Sequence, residues 1–215
     1  MIKNKIYFTC WLMFFFNIFG SILLFFDPLR QSVLNLTPIH LFVMFILFLW
    51  ANSYFSIKLI KAIIVIYLVG VLAEALGVRY NIIFGNYYYG NSLGPQVFEV
   101  PLIIGFNWLT LSFATYGVSS YLFRNKTVII VFASILMVLT DYIIEPMAGA
   151  LDFWYWVGGN IPIQNYVGWF FVSLIIHTIL VKMNFKFNIK LCLALLLSQI
   201  LFFVIQYFNY GFFGA

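Results

Sequence analysis

Seven apolar runs, at residues 6–26, 39–57, 60–78, 100–123, 127–147, 166–181 and 191–208, leave little of this chain free to form anything but membrane-spanning helices. A bilayer core of about 30 Å takes roughly 20 apolar residues per helix, so the chain accommodates about seven spans, short loops and no added soluble domain. Only 8% of its 215 residues are charged and 65% are hydrophobic, whereas a soluble domain carries about a quarter charged residues. The expected fold is an all-α integral membrane protein of about seven transmembrane helices, one polytopic domain over residues 1–215. The first run follows Lys3 and Lys5 as in a signal peptide, but it is long and lacks an A-x-A site. It reads as a retained first helix.

The basic residues sort between alternate loops. Lys3, Lys5, Lys58, Lys61, Arg124, Lys126, Lys182, Lys186 and Lys190 fall on one side of the predicted spans, and only Arg30 and Arg79 on the other. The positive-inside rule then places the N-terminus in the cytoplasm and the C-terminus outside, in the cytoplasmic (inner) membrane of a prokaryote. The formal charge of +5 belongs to cytoplasmic loops and gives no reason to expect nucleic acid. All six acids, Asp27, Glu74, Glu99, Asp141, Glu145 and Asp152, lie in the outer half or the outer loops.

Glu74 and Asp141 lie at a similar depth, each roughly 20 Å along its helix from the basic side. Asp141 and Glu145, four residues apart, share one helix face. Ionisable groups at that depth are costly to insert, so Glu74, Asp141 and Glu145 are the candidate reactive groups. Pro146 is expected to mark the end of the fifth span. Glu99, Asp152 and Asp27 read as solvated. His40 opens the second run on the acidic side, where it is a candidate proton partner, and His177 lies toward the cytoplasmic end of the sixth.

Two outer loops share a grammar. One runs from Glu74 through Phe84-Gly-Asn-Tyr-Tyr-Tyr-Gly to Pro101 and Asn107-Trp108, and the other from Glu145 through Asp152-Phe-Trp-Tyr-Trp to Pro162 and Gly168-Trp169. Both pass from a helix acid through aromatics and a Gly-Asn pair to Pro and Trp, suggesting a tandem helix-hairpin repeat over residues 60–123 and 127–181. Aromatic residues make up 22% of the chain. Many would belt the interface, but Trp108, Trp154, Trp156 and Trp169 also suit the wall of a cavity that holds a long apolar substrate and faces a passing cation. Asn107 and Asn165 are candidates to position a water, and Asn52 is more simply interhelical glue.

Several functions lack their residues. The last run has no lysine for a retinal Schiff base, no phosphate-cradling G-x-x-x-x-G-K-[ST] occurs, and no His cluster has the spacing of a metal centre. No metal or soluble cofactor is expected. Cys10 and Cys192 carry no CxxC pattern that would suggest zinc or disulfide chemistry.

The segments Glu74-Ala-Leu-Gly, Phe84-Gly-Asn-Tyr-Tyr-Tyr, Leu93-Gly-Pro with Val100-Pro101, Asp141-x-x-x-Glu145-Pro146, Trp154-x-Trp156 and Ile161-Pro-x-x-Asn165-Tyr-x-Gly168-Trp169 together resemble the membrane carotenoid biosynthesis family. That family includes the carotenoid 1,2-hydratases of the bisanhydrobacterioruberin hydratase type, and the resemblance covers about residues 70–170. It implies addition of water across the terminal C1=C2 bond of an acyclic carotenoid end group, such as that of lycopene or γ-carotene, without a cofactor. On this expectation Asp141 donates the proton and Glu74 or Glu145 orients the water. Tyr87, Tyr89, Asn107, Trp108, Trp154, Trp156, Asn165, Trp169 and His40 contact the substrate. The expected partners are the carotenoid, membrane lipids and other carotenoid biosynthesis enzymes. Two alternatives remain open: a membrane carotenoid cyclase that begins with the same protonation, and a carotenoid or lipid carrier without acid–base chemistry.

Overall fold

A computed structural model of the chain describes residues 2–52 and 55–213, and each of the seven apolar runs is helical over most of its described length; residues 53 and 54 of the second run lie outside the described residues. The long helices are α1 (Ile2–Leu23), α3 (Thr37–Asn52), α4 (Ile57–Tyr80), α5 (Ile104–Leu122), α6 (Lys126–Ala148), α7 (Ile163–Met183) and α8 (Ile189–Phe213). An eighth, α2 (Asp27–Asn35), fills what reads in the sequence as a loop. It has Pro28 in its first turn and Asp27 at its positive end, both favourable there.

Five of these helices, α1, α4, α6, α7 and α8, are long and apolar enough to cross a bilayer, which marks an integral membrane protein. The pair α2–α3, bent by 56°, makes a sixth if it crosses as one broken unit. By length and hydropathy alone five or six spans qualify where the sequence suggests seven, and the difference lies mainly in α5. That helix carries Thr110, Ser112, Thr115 and Ser119, which lower its hydropathy, yet every residue from 107 to 119 is buried. It packs against α3, α4, α6, α7 and α8. Sequestered from lipid, three of these hydroxyls turn back to their own helix: Ser112 donates to the Leu109 carbonyl at 3.1 Å, Thr115 to that of Leu111 at 2.8 Å and Ser119 to that of Thr115 at 2.7 Å.

The helix termini carry recognisable stops. Ser56 caps α4 by accepting from the Leu59 N–H at 3.1 Å, and Asn81 ends that helix in the left-handed region at φ 57°. Asn125 caps α6 through the N–H groups of Thr127 and Val128. Contrary to the sequence expectation, α6 continues past Pro146 to Ala148.

Contacts between distant segments define the two ends of the bundle. At one end the Lys190 ammonium bonds to the Tyr7 hydroxyl, Lys5 lies 4.3 Å over the Trp50 ring, and Asn52 accepts from the Asn188 N–H at 2.9 Å. The starts of α1 and α8 and the end of α3 therefore meet, which gathers basic residues as the loop pattern requires. Asn52 is interhelical glue, as its sequence context suggests. At the other end Arg30 lies 4.6 Å over the Tyr210 ring.

Polar side chains fasten α1 to α8 along their length. Asn17 donates to Ser198 at 3.2 Å, and the Gln206 amide donates to both the Ser21 hydroxyl at 2.9 Å and its carbonyl at 3.2 Å. Bonds of this kind between membrane helices are each worth about 0.6 to 2 kcal/mol. Replacing Gln206 by Leu should therefore lower the thermal stability of the detergent-solubilised protein by about 1 kcal/mol, and a Ser21→Ala, Gln206→Leu double mutant should lose less than the sum of the single changes.

Candidate active site

Two loops make the site by pairing with each other. Strand β1 (Tyr87–Tyr89), in the connection from α4 to α5, pairs antiparallel with β4 (Trp154–Trp156), in the connection from α6 to α7. A second small hairpin, β2 (Gln96–Val97) with β3 (Val100–Pro101), follows β1 in the first connection. In the β1–β4 pair Tyr87 faces Trp156 and Tyr89 faces Trp154. Side chains alternate along a strand, so these four aromatics turn inward together while Tyr88 and Tyr155 stack on the opposite face at 5.3 Å.

The inward aromatics supply hydrogen-bond donors to buried carboxyls. Glu74, on α4, is 4% exposed; its Oε2 accepts from the Tyr87 hydroxyl at 2.5 Å and the Tyr89 hydroxyl at 2.8 Å, and its Oε1 from the Trp108 indole at 3.0 Å. Glu145, on α6, repeats the arrangement with different donors. Its Oε2 accepts from the indoles of Trp154 at 3.1 Å and Trp156 at 2.8 Å, and its Oε1 from the Asn165 amide at 2.8 Å. The same Asn165 amide donates its other hydrogen to Asp141 Oδ2 at 2.8 Å. Asp141 is fully buried and its Oδ1 has no hydrogen-bond partner among the described residues.

Packing sets the reach of these donors. Gly70 lies one turn before Glu74 on α4, and a Cβ there would meet the Trp108 side chain at 2.7 Å. The missing side chain lets Trp108 lie flat on α4 and aim its N–H at Glu74. Trp108 stacks on Trp169 with centroids 4.1 Å apart, and Phe84 packs against both. Burial, and after it the Glu74 charge, push the phenols of Tyr87 and Tyr89 well above the ordinary tyrosine range, so both stay O–H donors at neutral pH.

Two cavities meet here. The smaller, of about 20 Å³, is lined by Glu74, Glu145, Asn165 and the surrounding aromatics, and has room for about one water. The larger, about 400 Å³, lies among α1, α2, α3 and α8 and is almost wholly apolar. Ile104, Asn107 and Trp154 line both. The structure thus brings together Glu74, Glu145, Tyr87, Tyr89, Asn107, Trp154, Trp156, Asn165 and Trp169 around the smaller cavity, with Trp108 behind Glu74. Asp141 stands one layer behind the wall, joined to it through Asn165. His40 lines the larger cavity only. His177 lies in neither; it is held between Thr115 Oγ1 at 3.0 Å and Ser134 Oγ at 3.2 Å.

Asp152, which reads as solvated in the sequence, is the clasp of the two loops. Its Oδ2 accepts from the N–H groups of Asn91 at 3.0 Å and Ser92 at 3.1 Å and from the Ser92 hydroxyl at 3.0 Å, while Oδ1 accepts from Tyr155 at 2.9 Å. Its backbone is left-handed at φ 55°, a conformation that Asp tolerates better than most residues. Gly90 passes so close to Asp152 that a side chain there would clash. The Asp-aromatic run after α6 and the Gly-Asn-Ser run after β1 were the available signals, but nothing in either indicates that they meet.

The model of the family described as carotenoid biosynthesis protein matches residues 35–213, which include the whole site. No curated protein and no solved structure matches the chain. If Asp152 clasps the loops, Asp152→Ala should increase protease cleavage near residues 90–92 and lower stability by about 1–3 kcal/mol, and Asp152→Asn should recover part of both losses.

Proposed function

Since the chain belongs to the carotenoid biosynthesis protein family, we propose that it is a cofactor-independent carotenoid 1,2-hydratase, adding water to the terminal C1=C2 bond of an acyclic end group. The observation that carries this reading is the convergence of buried carboxyls on a one-water cavity that adjoins a large apolar one. The polyene occupies the apolar cavity with its end group at Ile104, Asn107 and Trp154. The nucleophilic water sits between Glu74 and Glu145.

Protonation of C2 uses the alkene π electrons to form the new C–H bond and leaves a tertiary cation at C1. We assign the transferable proton to the Asp141–Glu145 pair. One amide group donates to both carboxyls, no Lys, Arg or His lines the cavity, and the Asp141 Oδ1 left without a partner offers the pair a place to hold a proton. Glu145, the member that faces the cavity, delivers it. The faces of Trp154 and Trp169 stabilise the cation. Water attacks C1, Glu74 takes its proton, and that proton returns to the pair through the cavity, so the net change is one water added. Trp108, Tyr87 and Tyr89 hold Glu74 as a base: it accepts from three donors as Glu145 does, but shares none of them with a second carboxyl with which it could hold a proton.

This assignment moves the delivering group from Asp141, the donor expected from the sequence, to Glu145, and keeps Asp141 as the other half of the pair. Space for water beside a second carboxyl favours hydration over cyclisation, in which an internal alkene must capture the cation. The matching donor sets of Glu74 and Glu145 and the β1–β4 pairing support reading residues 60–123 and 127–181 as two copies of one helix-hairpin unit. The charge pattern supports a cytoplasmic N-terminus, with the site in the outer half of a prokaryotic inner membrane.

Expression in a bacterium that accumulates lycopene or γ-carotene, followed by chromatography and mass spectrometry, tests the proposal. Wild type should add the mass of one water per reacted end. Glu145→Gln and Glu74→Gln should each lower the rate by about 10²–10⁴-fold with membrane expression intact, the range for loss of a general acid or base, and Asp141→Asn should also fall steeply. A product of unchanged mass and altered absorption would establish cyclisation instead. Full activity in all three variants would overturn the residue assignments, and no change of pigment with good wild-type expression would leave the carrier reading.

A further inference from the structure

We propose that the corner between α1 and the α2–α3 bend is a lateral portal, through which an acyclic polyene passes from the bilayer interior, end first, to the carboxylate cavity. The inference rests on the reading of that cavity as the place where such an end group reacts.

The 400 Å³ cavity reaches from the site to the outer face of the bundle. Its inner end shares Ile104, Asn107 and Trp154 with the carboxylate cavity. At its outer end stand Phe19 on α1, Leu36 at the bend and Ile39 at the start of α3, 48%, 54% and 60% exposed. Three large apolar side chains so exposed on the flank of a membrane bundle face lipid tails, and the opening they surround admits a hydrocarbon more readily than a polar solute. The 56° bend sets the opening: it turns α2 away from the axis of α3, so α1 faces a corner there instead of a continuous helix. The rest of the bundle is closed by comparison, because α1 is fastened to α8 by the Asn17–Ser198 and Ser21–Gln206 bonds and α5 is enclosed on all sides.

Along the passage the polar groups are few and grouped. Asn107 and Gln199 form a pair, the Gln199 amide donating to Asn107 Oδ1 at 3.4 Å, beside the junction of the two cavities. His40 and Thr37 stand near the bend. Asn17 also lines the passage, but it is engaged with Ser198, so a hydrocarbon moves along a largely apolar wall to the Asn107–Gln199 pair, where its end group stops.

Gly20 allows a direct test. It lines the cavity, and a Cβ built on it meets nothing within 4 Å, so Gly20→Trp should fill the passage without displacing the backbone. Ile39→Trp narrows the opposite lip, and Ile64→Trp, at a lipid-facing site on α4, serves as the control. Wild type and variants are reconstituted in liposomes containing lycopene, repurified, and assayed for bound lycopene by its absorption and for hydrated product by mass spectrometry. The portal predicts that Gly20→Trp and Ile39→Trp each lower bound lycopene at least tenfold with an unchanged melting temperature, and that Ile64→Trp does not.

Glu145→Gln should bind lycopene as wild type does and form product at a rate lower by about 10²–10⁴-fold. If wild type binds lycopene, and the portal variants lose it, but no hydrated product forms, the hydration reading fails and the portal stands. Wild-type levels of bound lycopene in Gly20→Trp and Ile39→Trp, or no binding by wild type, would overturn the portal. If one lip variant fails to fold, the other decides.

Discussion

The structure depends on satisfying three carboxyl groups buried away from bulk water. A buried carboxylate without partners is among the costliest groups a bilayer-embedded chain can carry, and α4 and α6 carry three within a small volume. None is matched by a basic side chain in the cavity wall. Their partners are phenol O–H, indole N–H and amide N–H groups. These donors bring no charge of their own at neutral pH, so no cation in the cavity wall fixes the carboxyls as anions, the condition under which a proton can be held and given up.

Supplying six such donors is what requires the two outer connections to pair. A helix can aim only one or two side chains at a given point, whereas a strand presents alternate residues to one side. Tyr87 with Tyr89 serves Glu74, and Trp154 with Trp156 serves Glu145, through the same i, i+2 geometry. Holding the strands in register takes the Asp152 clasp on one side and the Tyr88–Tyr155 stack on the other. The remaining donors, Trp108 and Asn165, come from the first two turns of α5 and the first turn of α7.

This hierarchy explains what the sequence reveals. The helices were legible because lipid exposure forces continuous apolar runs, and the acids because charge is rare in such runs. The family resemblance, carried by residues about 70–170, proved to belong to a match spanning 35–213. The seven-span count was not recovered in full, since α5 is a helix enclosed by protein and can carry hydroxyls that a lipid-facing span cannot. The short helix α2 escaped notice because nine residues of mixed polarity resemble a loop. Asp152 was misread for a different reason: solvation and clasping use the same residue type in the same kind of loop, and only the distant Asn91–Ser92 backbone distinguishes them. The layering of Asp141 behind Glu145 was equally inaccessible, because four-residue spacing puts both on one face without saying which is nearer the cavity.

The division of space bears on how such a site would choose between water and a second alkene as the group that ends the cation. In a uniformly apolar pocket the nearest nucleophile is the substrate's own chain, folded back on itself. Here the polar cavity admits about one water but is too small for a folded chain, while the apolar cavity that can hold a chain has no carboxyl in its wall. The two meet at Ile104, Asn107 and Trp154, so an end group arriving from the apolar side has its own chain behind it and carboxyls and water ahead. On the proposed reading, this geometry favours capture by water before any difference in intrinsic reactivity is invoked.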